Sequence, residues 1–96
     1  MIKFLLQDKT PREEDVYTID WTAHLGGDTI TGAQPFVMEA LVGTAIINQG
    51  VNDIPDNKSS FWISGGNEGE VCEFRVGINT TGGKKIDALL IIGIRI

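Results

Sequence analysis

The sequence predicts an all-β fold, an immunoglobulin-like antiparallel β-sandwich of about seven strands. Three observations carry that expectation. Cys72, Phe74, Val76 and Ile78 alternate with Glu73, Arg75, Gly77 and Asn79; a period of two belongs to a strand with one buried face, because successive side chains leave a pleated strand on opposite sides. Gly65-Gly66 and Gly82-Gly83 interrupt the pattern where the chain must reverse, as residues that tolerate positive φ do. Strand-like runs recur at intervals of roughly ten residues, the spacing of a sandwich.

Taken in order, Lys3 to Gln7 reads as a short first strand. Thr10-Pro11-Arg12-Glu13-Glu14 has the marks of a helix start, so a short helical turn is expected near residues 11–15. Thr10 suits the N-cap, Pro11 the first helical position and Glu13 the acidic place of a capping box. From Val16 to Trp21 the pattern alternates again, with Tyr17, Ile19 and Trp21 on one face. Leu25 to Asp28 is a turn, and Asp28 to Thr31 opens the next strand.

Gly32 to Gly43 has no clear period, and Phe36 to Val42 fits a strand or a helical turn. Pro35 cannot donate to a ladder, so it marks an edge or a bulge. Thr44 to Gln49 reads as a strand, and Gly50 to Lys58 as a polar loop. Ser59–Ser64, Glu70–Asn79 and Lys85–Arg95 complete the set. The last strand is apolar on both sides. Ile86, Ala88, Leu90, Ile92, Ile94 and Ile96 share one face, while Leu89 and Ile91 make the other apolar. Such a strand is expected to be covered on both faces, here by the Thr10–Glu14 turn or by another subunit. No linker or repeat divides the chain, so one domain over residues 1–96 is expected.

Composition narrows the function. The hydrophobic fraction of 42% supports a packed core. With 13 acids against 8 bases, net −5, the chain is a poor ligand for phosphate backbones or anionic membranes, so neither nucleic acid nor membrane is expected as a partner. The single cysteine, Cys72, excludes an internal disulfide. Met1 to Leu6 is too short and too soon polar for a signal peptide, and the apolar run Ala88–Ile94 is too short for a membrane helix. A protein made and kept in a cytoplasm is expected.

Candidate chemistry is sparse. His24 is the only histidine, whereas triads and zinc sites need partners, so it reads as a surface or turn residue. Cys72 shares the inward row with Phe74 and Val76 and reads as a small core residue. Gly82-Gly83-Lys84-Lys85 lacks the phosphate-loop pattern and reads as a hairpin turn. Asp53, Asp56 and Asn57 match no calcium-loop spacing. Asp20 and Asp28 sit where capping and turn carboxylates sit. Trp21 and Trp62 remain as aromatic faces able to stack on a sugar, though a tryptophan in so small a domain is more often core. Trp62 lies opposite in parity to Phe61 and Ile63, so one of the two faces of that strand must be covered by something else.

Two segments resemble a known family. The first is Tyr17-Thr18-Ile19-Asp20-Trp21-Thr22-Ala23-His24-Leu25-Gly26-Gly27-Asp28-Thr29-Ile30. The second is Phe61-Trp62-Ile63-Ser64-Gly65-Gly66-Asn67-Glu68-Gly69-Glu70-Val71, followed by the Asn79-Thr80-Thr81-Gly82-Gly83 turn. Together with the acidic lead-in Asp8–Val16 they resemble small bacteriophage and prophage structural proteins of the fiber–tail adaptor, or phage-related tail protein, type. Lys84-Lys85 stands where the family's final turn carries an arginine.

The resemblance implies a sandwich that serves as a building block at the tail or connector, with no catalytic residues and no cofactor. Its partners would be other virion proteins of tail, connector or fiber, joined through edges and loops. A homo-oligomer, as a symmetric ring or a ring-bound unit, is expected, located in the virion and assembled in the bacterial cytoplasm. The expected interaction surface comprises Trp62, Leu89, Ile91 and Trp21. The rival expectation is a module that binds carbohydrate or a host surface through an exposed tryptophan.

Overall fold

The computed structural model describes residues 2–95, with the backbone alone for Gln34, Phe36, Val37, Met38 and Gln49. The described elements are β1 (Ile2–Leu5), β2 (Asp15–Asp20), α1 (Thr22–Leu25), β3 (Ile30–Val42), β4 (Ile46–Asp53), β5 (Lys58–Ser64), β6 (Val71–Thr80) and β7 (Lys85–Gly93). One sheet has the order β1-β7-β6-β3 and the other β2-β5-β4. A constant-type immunoglobulin sandwich sets its first, second, fifth and fourth strands in one sheet and its third, sixth and seventh in the other. The order here differs in the first strand. β1 has crossed over to lie parallel to β7, pairing Ile2 with Ala88 and Leu5 with Ile91. The sandwich is therefore mixed rather than wholly antiparallel.

Alternation places the core as the sequence suggests. Tyr17, Ile19, Phe61 and Ile63 face inward from one sheet; Cys72, Phe74, Val76, Ile78, Ala88, Leu90 and Ile92 face them from the other. Ile94 continues the buried row, while Ile96 lies outside the described residues.

β3 is the irregular member. It is an edge strand whose register against β6 slips between Thr31 and Phe36, between Val37 and Glu39, and between Ala40 and Val42. Pro35 sits within the first slip, as a residue without an N–H should. Pairing continues to Val42 opposite Glu73, so 36–42 is strand and not a helical turn. The polar loop expected from Gly50 to Lys58 is shorter than that, because β4 runs on to Asp53. Gly50 makes this possible: it occupies a register slip against β5, and a Cβ there would lie 1.3 Å from the carbonyl oxygen of Ser60. Only a glycine lets the two backbones approach so closely.

The helical turn expected near residues 11–15 is corrected to a single tight turn. Glu13 N–H donates to the Thr10 carbonyl at 3.2 Å, and the Glu13 carboxylate accepts from Thr10 N–H at 2.7 Å. The capping contact forms, but no helix follows. The flank before it is bound to β7 and its extension, through Lys9 N–H to the Gly93 carbonyl and Arg95 N–H to the Lys9 carbonyl, and after it β2 begins at Asp15 and pairs with β5. The helix is α1 instead. Asp20 Oδ1 accepts from Thr22 N–H at 2.9 Å and from Thr22 Oγ1 at 2.6 Å, and Gly26 ends it with φ of 59°.

One buried polar chain ties these elements together. Trp21 Nε1 donates to Ser59 Oγ at 2.8 Å, Ser59 donates to Asn52 Oδ1 at 2.6 Å, and Asn52 Nδ2 donates to the Gly32 carbonyl at 3.1 Å. Phe4 of β1 packs edge-on against the Trp21 ring, centroids 5.5 Å apart. Ser59→Ala leaves a buried donor and a buried acceptor unpaired while removing little volume. We expect a loss of about 2–6 kcal/mol of unfolding free energy by chemical denaturation, at about 1–3 kcal/mol for each of the two unsatisfied groups. A loss below about 0.5 kcal/mol would show that the chain of bonds contributes little.

Candidate interaction surfaces

Both sheets present an outer face, and the two differ along their length. On the four-stranded sheet, Lys3, Leu89 and Arg75 lie side by side in register, as do Leu5, Ile91 and Glu73. Arg75 is held between Glu39, at 3.7 Å, and Asp87, at 3.4 Å. On the three-stranded sheet, Val16, Trp62 and Asn48 form one row and Thr18, Ser60 and Val51 the next. The hydroxyls of Thr18 and Ser60 bond to each other at 2.9 Å.

The expected surface residues separate on this frame. Trp62 is 47% exposed, on the central strand of the three-stranded sheet and two residues from that strand's end. Trp21 is corrected: it is 0% exposed, because its place in the Tyr17 and Ile19 row puts it inside, where Ser59 satisfies its N–H. Leu89 is only 8% exposed, flanked by Lys3 and Arg75, whose aliphatic stems suit such a place. Ile91 is half-buried between Leu5 and Glu73. Trp62 and the Leu89–Ile91 pair lie on the outer faces of opposite sheets. The Thr10–Glu13 turn does not cover Leu89; Glu13 pairs with Arg95 at 3.6 Å, beyond the end of β7. Sequence parity had the means to find two further exposed apolar residues, Val16 beside Tyr17 and Val71 beside Cys72.

The remaining candidates are structural. His24 is an exposed residue of α1 with its ring edge-on to Phe4, centroids 5.9 Å apart. Asn57 closes the β4–β5 turn in the left-handed region with φ of 56°, and its carbonyl accepts from Trp21 N–H. Among the described residues no three His, Cys, Asp or Glu side chains gather as a metal site would require, and no helix is long and apolar enough to cross a membrane.

Two carboxylates act as clasps between loops. Asp28 accepts from its neighbour Thr29 N–H and from Gly82 N–H, with Gly82 at 3.1 Å from Oδ2. Thr29 and Thr81 join through their hydroxyls. The two segments that carry the family resemblance thus meet here, at the β6–β7 turn. Hydrogen bonds from Thr80, Thr29 and Gly82 hold the Asp28 carboxyl below its usual range.

At the opposite end, Glu70 Oε1 accepts from Thr44 Oγ1 at 2.5 Å, Thr44 N–H at 3.1 Å and Asn67 N–H at 2.8 Å. The Thr44 hydroxyl and then the Asn67 and Thr44 amides hold its pKa down, from 4.5 to about 2. Cys72 Sγ donates to the same oxygen at 3.5 Å; burial pushes that thiol's pKa up.

The Glu70 clasp gives a pH signature. Its folded pKa lies below its unfolded value, so it stabilises the fold above pH 4.5, and that contribution fades as pH falls through about 2. Glu70→Gln is expected to be less stable than the parent at neutral pH and to lose less stability between these two pH values. Urea denaturation at a series of pH values measures the difference. Parallel curves for the two proteins would remove Glu70 as a charged clasp.

A family model described as "Podophage GP4 fiber-tail adaptor protein gp77" matches residues 9–92. No curated protein matches the chain at a significant level.

Proposed function

Because the chain belongs to the podophage GP4 fiber-tail adaptor family gp77, we propose that it is a non-enzymatic structural component of a phage tail, joining tail and fiber proteins through protein–protein contacts. The family match over residues 9–92 is the observation that carries this reading. The structure agrees with it in kind. The acids most engaged, Asp20, Asp28 and Glu70, are occupied in holding loops together. Apolar side chains such as Trp62, Ile46 and Leu5 stand exposed on strands, where a partner has area to bury.

The protein takes its place in the virion as a homo-oligomer, several copies forming a ring about the tail axis. Repetition lets a small domain bury a large total area without a large individual interface. Assembly takes place in the host cytoplasm, without nucleic acid or membrane as a partner.

Sedimentation and native mass measurement, alone and with purified tail and fiber proteins of the parent phage, test the reading. A multimer, and a stable complex with at least one of those proteins, is expected. A strict monomer that binds none of them would refute it. A carbohydrate-binding role would have to rest on Trp62, since the Trp21 ring is inaccessible. Emission of the exposed indole should therefore stay unchanged on titration with cell-wall glycans.

A further inference from the structure

Strand directions put the β1–β2, β3–β4 and β5–β6 connections at one end of the sandwich, together with the residues after β7. The register fixes this: Leu5 lies beside Ile91, Val71 opposite Gly93, Ile46 opposite Ser64, and Asp15 opposite Ile63. The opposite end holds α1, the β4–β5 turn and the β6–β7 turn.

Exposed apolar side chains gather at the first end. Leu5 closes β1, Val42 closes β3, Ile46 opens β4 and Val71 opens β6; Val16 and Trp62 lie within three positions of the ends of β2 and β5. Leu5, at 81%, is the most exposed of them. Val16, Ile46 and Trp62 belong to one sheet and Leu5, Val42 and Val71 to the other. Side chains on the outer faces of both sheets therefore form a collar around a single end.

Charge is polarised in the same sense. This end carries seven of the chain's 13 acids, among them Glu14, Asp15, Glu68 and Glu73, against three of its 8 bases. Of those bases Lys9 is buried and Arg95 is paired with Glu13. The end is also preformed. Glu70 bonds the β3–β4 turn to the β5–β6 loop, and Gly69 N–H donates to the Ile94 carbonyl at 2.8 Å.

We propose that this end of the sandwich is the docking end, and that its occupant is a neighbouring virion protein presenting an apolar socket rimmed by lysine and arginine. The inference rests on the adaptor reading and deepens it. A second copy of the chain is the poorer occupant, since two such ends would bring like charges together around the same apolar centre. A rigid collar loses little conformational entropy on insertion, so the buried area goes further towards affinity. Ring contacts between copies then fall on other surfaces.

The test uses the full chain and the purified tail and fiber proteins of the same phage. Leu5→Asp, Trp62→Asp and Val71→Asp are compared with Val51→Asp, an exposed apolar position further along the Trp62 face, and with Lys84→Glu at the opposite end. All five substitutions fall outside the buried core, and circular dichroism checks their folding. Each collar variant is expected to weaken the complex about 30-fold or more, and both controls to stay within about threefold. Raising salt from about 50 to about 500 mM should weaken the parent complex about tenfold, through screening of the acidic rim.

Binding that survives the collar variants but fails in Lys84→Glu or Val51→Asp overturns the inference and leaves the adaptor reading standing. Salt-independent binding overturns the basic rim. Self-association that Leu5→Asp abolishes would make the occupant a second copy and overturn the inference. Binding to none of the tail and fiber proteins overturns the adaptor reading itself.

Discussion

The bond from Trp21 Nε1 to Ser59 Oγ constrains more of this structure than any other single contact. Apolar burial holds two sheets together but does not fix how they sit, because it has no direction. The indole N–H is a donor only and is fully enclosed, so it must find an acceptor inside. Ser59 supplies one and donates its own O–H to Asn52 Oδ1, while the Asn52 amide N–H donates to the Gly32 carbonyl on β3. β2, β5 and β4 of one sheet are thus tied to an edge strand of the other, and Phe4 of β1 leans on the same ring. A slide of one sheet across the other would break these bonds together. A partly satisfied buried network is worse than none, so the arrangement selects one packing rather than a family of similar ones.

Carboxylates perform the corresponding task at the two ends. The acids of an acidic domain are usually read as a solvated surface, yet Asp20, Asp28 and Glu70 each accept backbone N–H groups. Each closes a loop that apolar packing alone does not determine. Glu70 is the strongest case, since three donors from two loops converge on one oxygen. Ionised acceptors make stronger bonds than neutral ones. The loops between strands are therefore fixed by local bonds even where they bury little, which leaves the exposed apolar side chains beside them on a firm base.

What the sequence disclosed, and what it withheld, follows from the range of each signal. β2, β5, β6 and β7 were legible because parity is a local property: once Tyr17 and Ile19 face inward, Trp21 must follow. β3 was not legible because its slips against β6 consume extra residues and erase the period. α1 was not, since four residues make scarcely one turn and show no period. The helix-start pattern at Thr10–Glu13 was real chemistry in too small a space, with Lys9 bound to β7 before it and β2 beginning at Asp15 after it. The crossing of β1 to lie parallel with β7 joins residues far apart in sequence, which no local pattern reports. Surface residues were the hardest. Parity set Trp62 and Leu89 each on the face opposite its strand's main apolar row, but only the folded chain shows that Leu89 is flanked by Lys3 and Arg75 while Trp62 is open.

A small domain with unguarded apolar side chains at one end carries a hazard as well as a use. Before assembly, apolar surface and open strand edges invite pairing with the wrong chain. Both edges of the four-stranded sheet are blunted: β1 has four residues, and β3 is broken by register slips around Pro35. The apolar end itself is kept apart by charge, because its acids repel the same end of every other copy. That repulsion vanishes, and turns to attraction, only against a surface of opposite sign. In the proposed docking, the acidity that opposes contact between like ends and the specificity for a basic partner are therefore one physical property, expressed before and after docking.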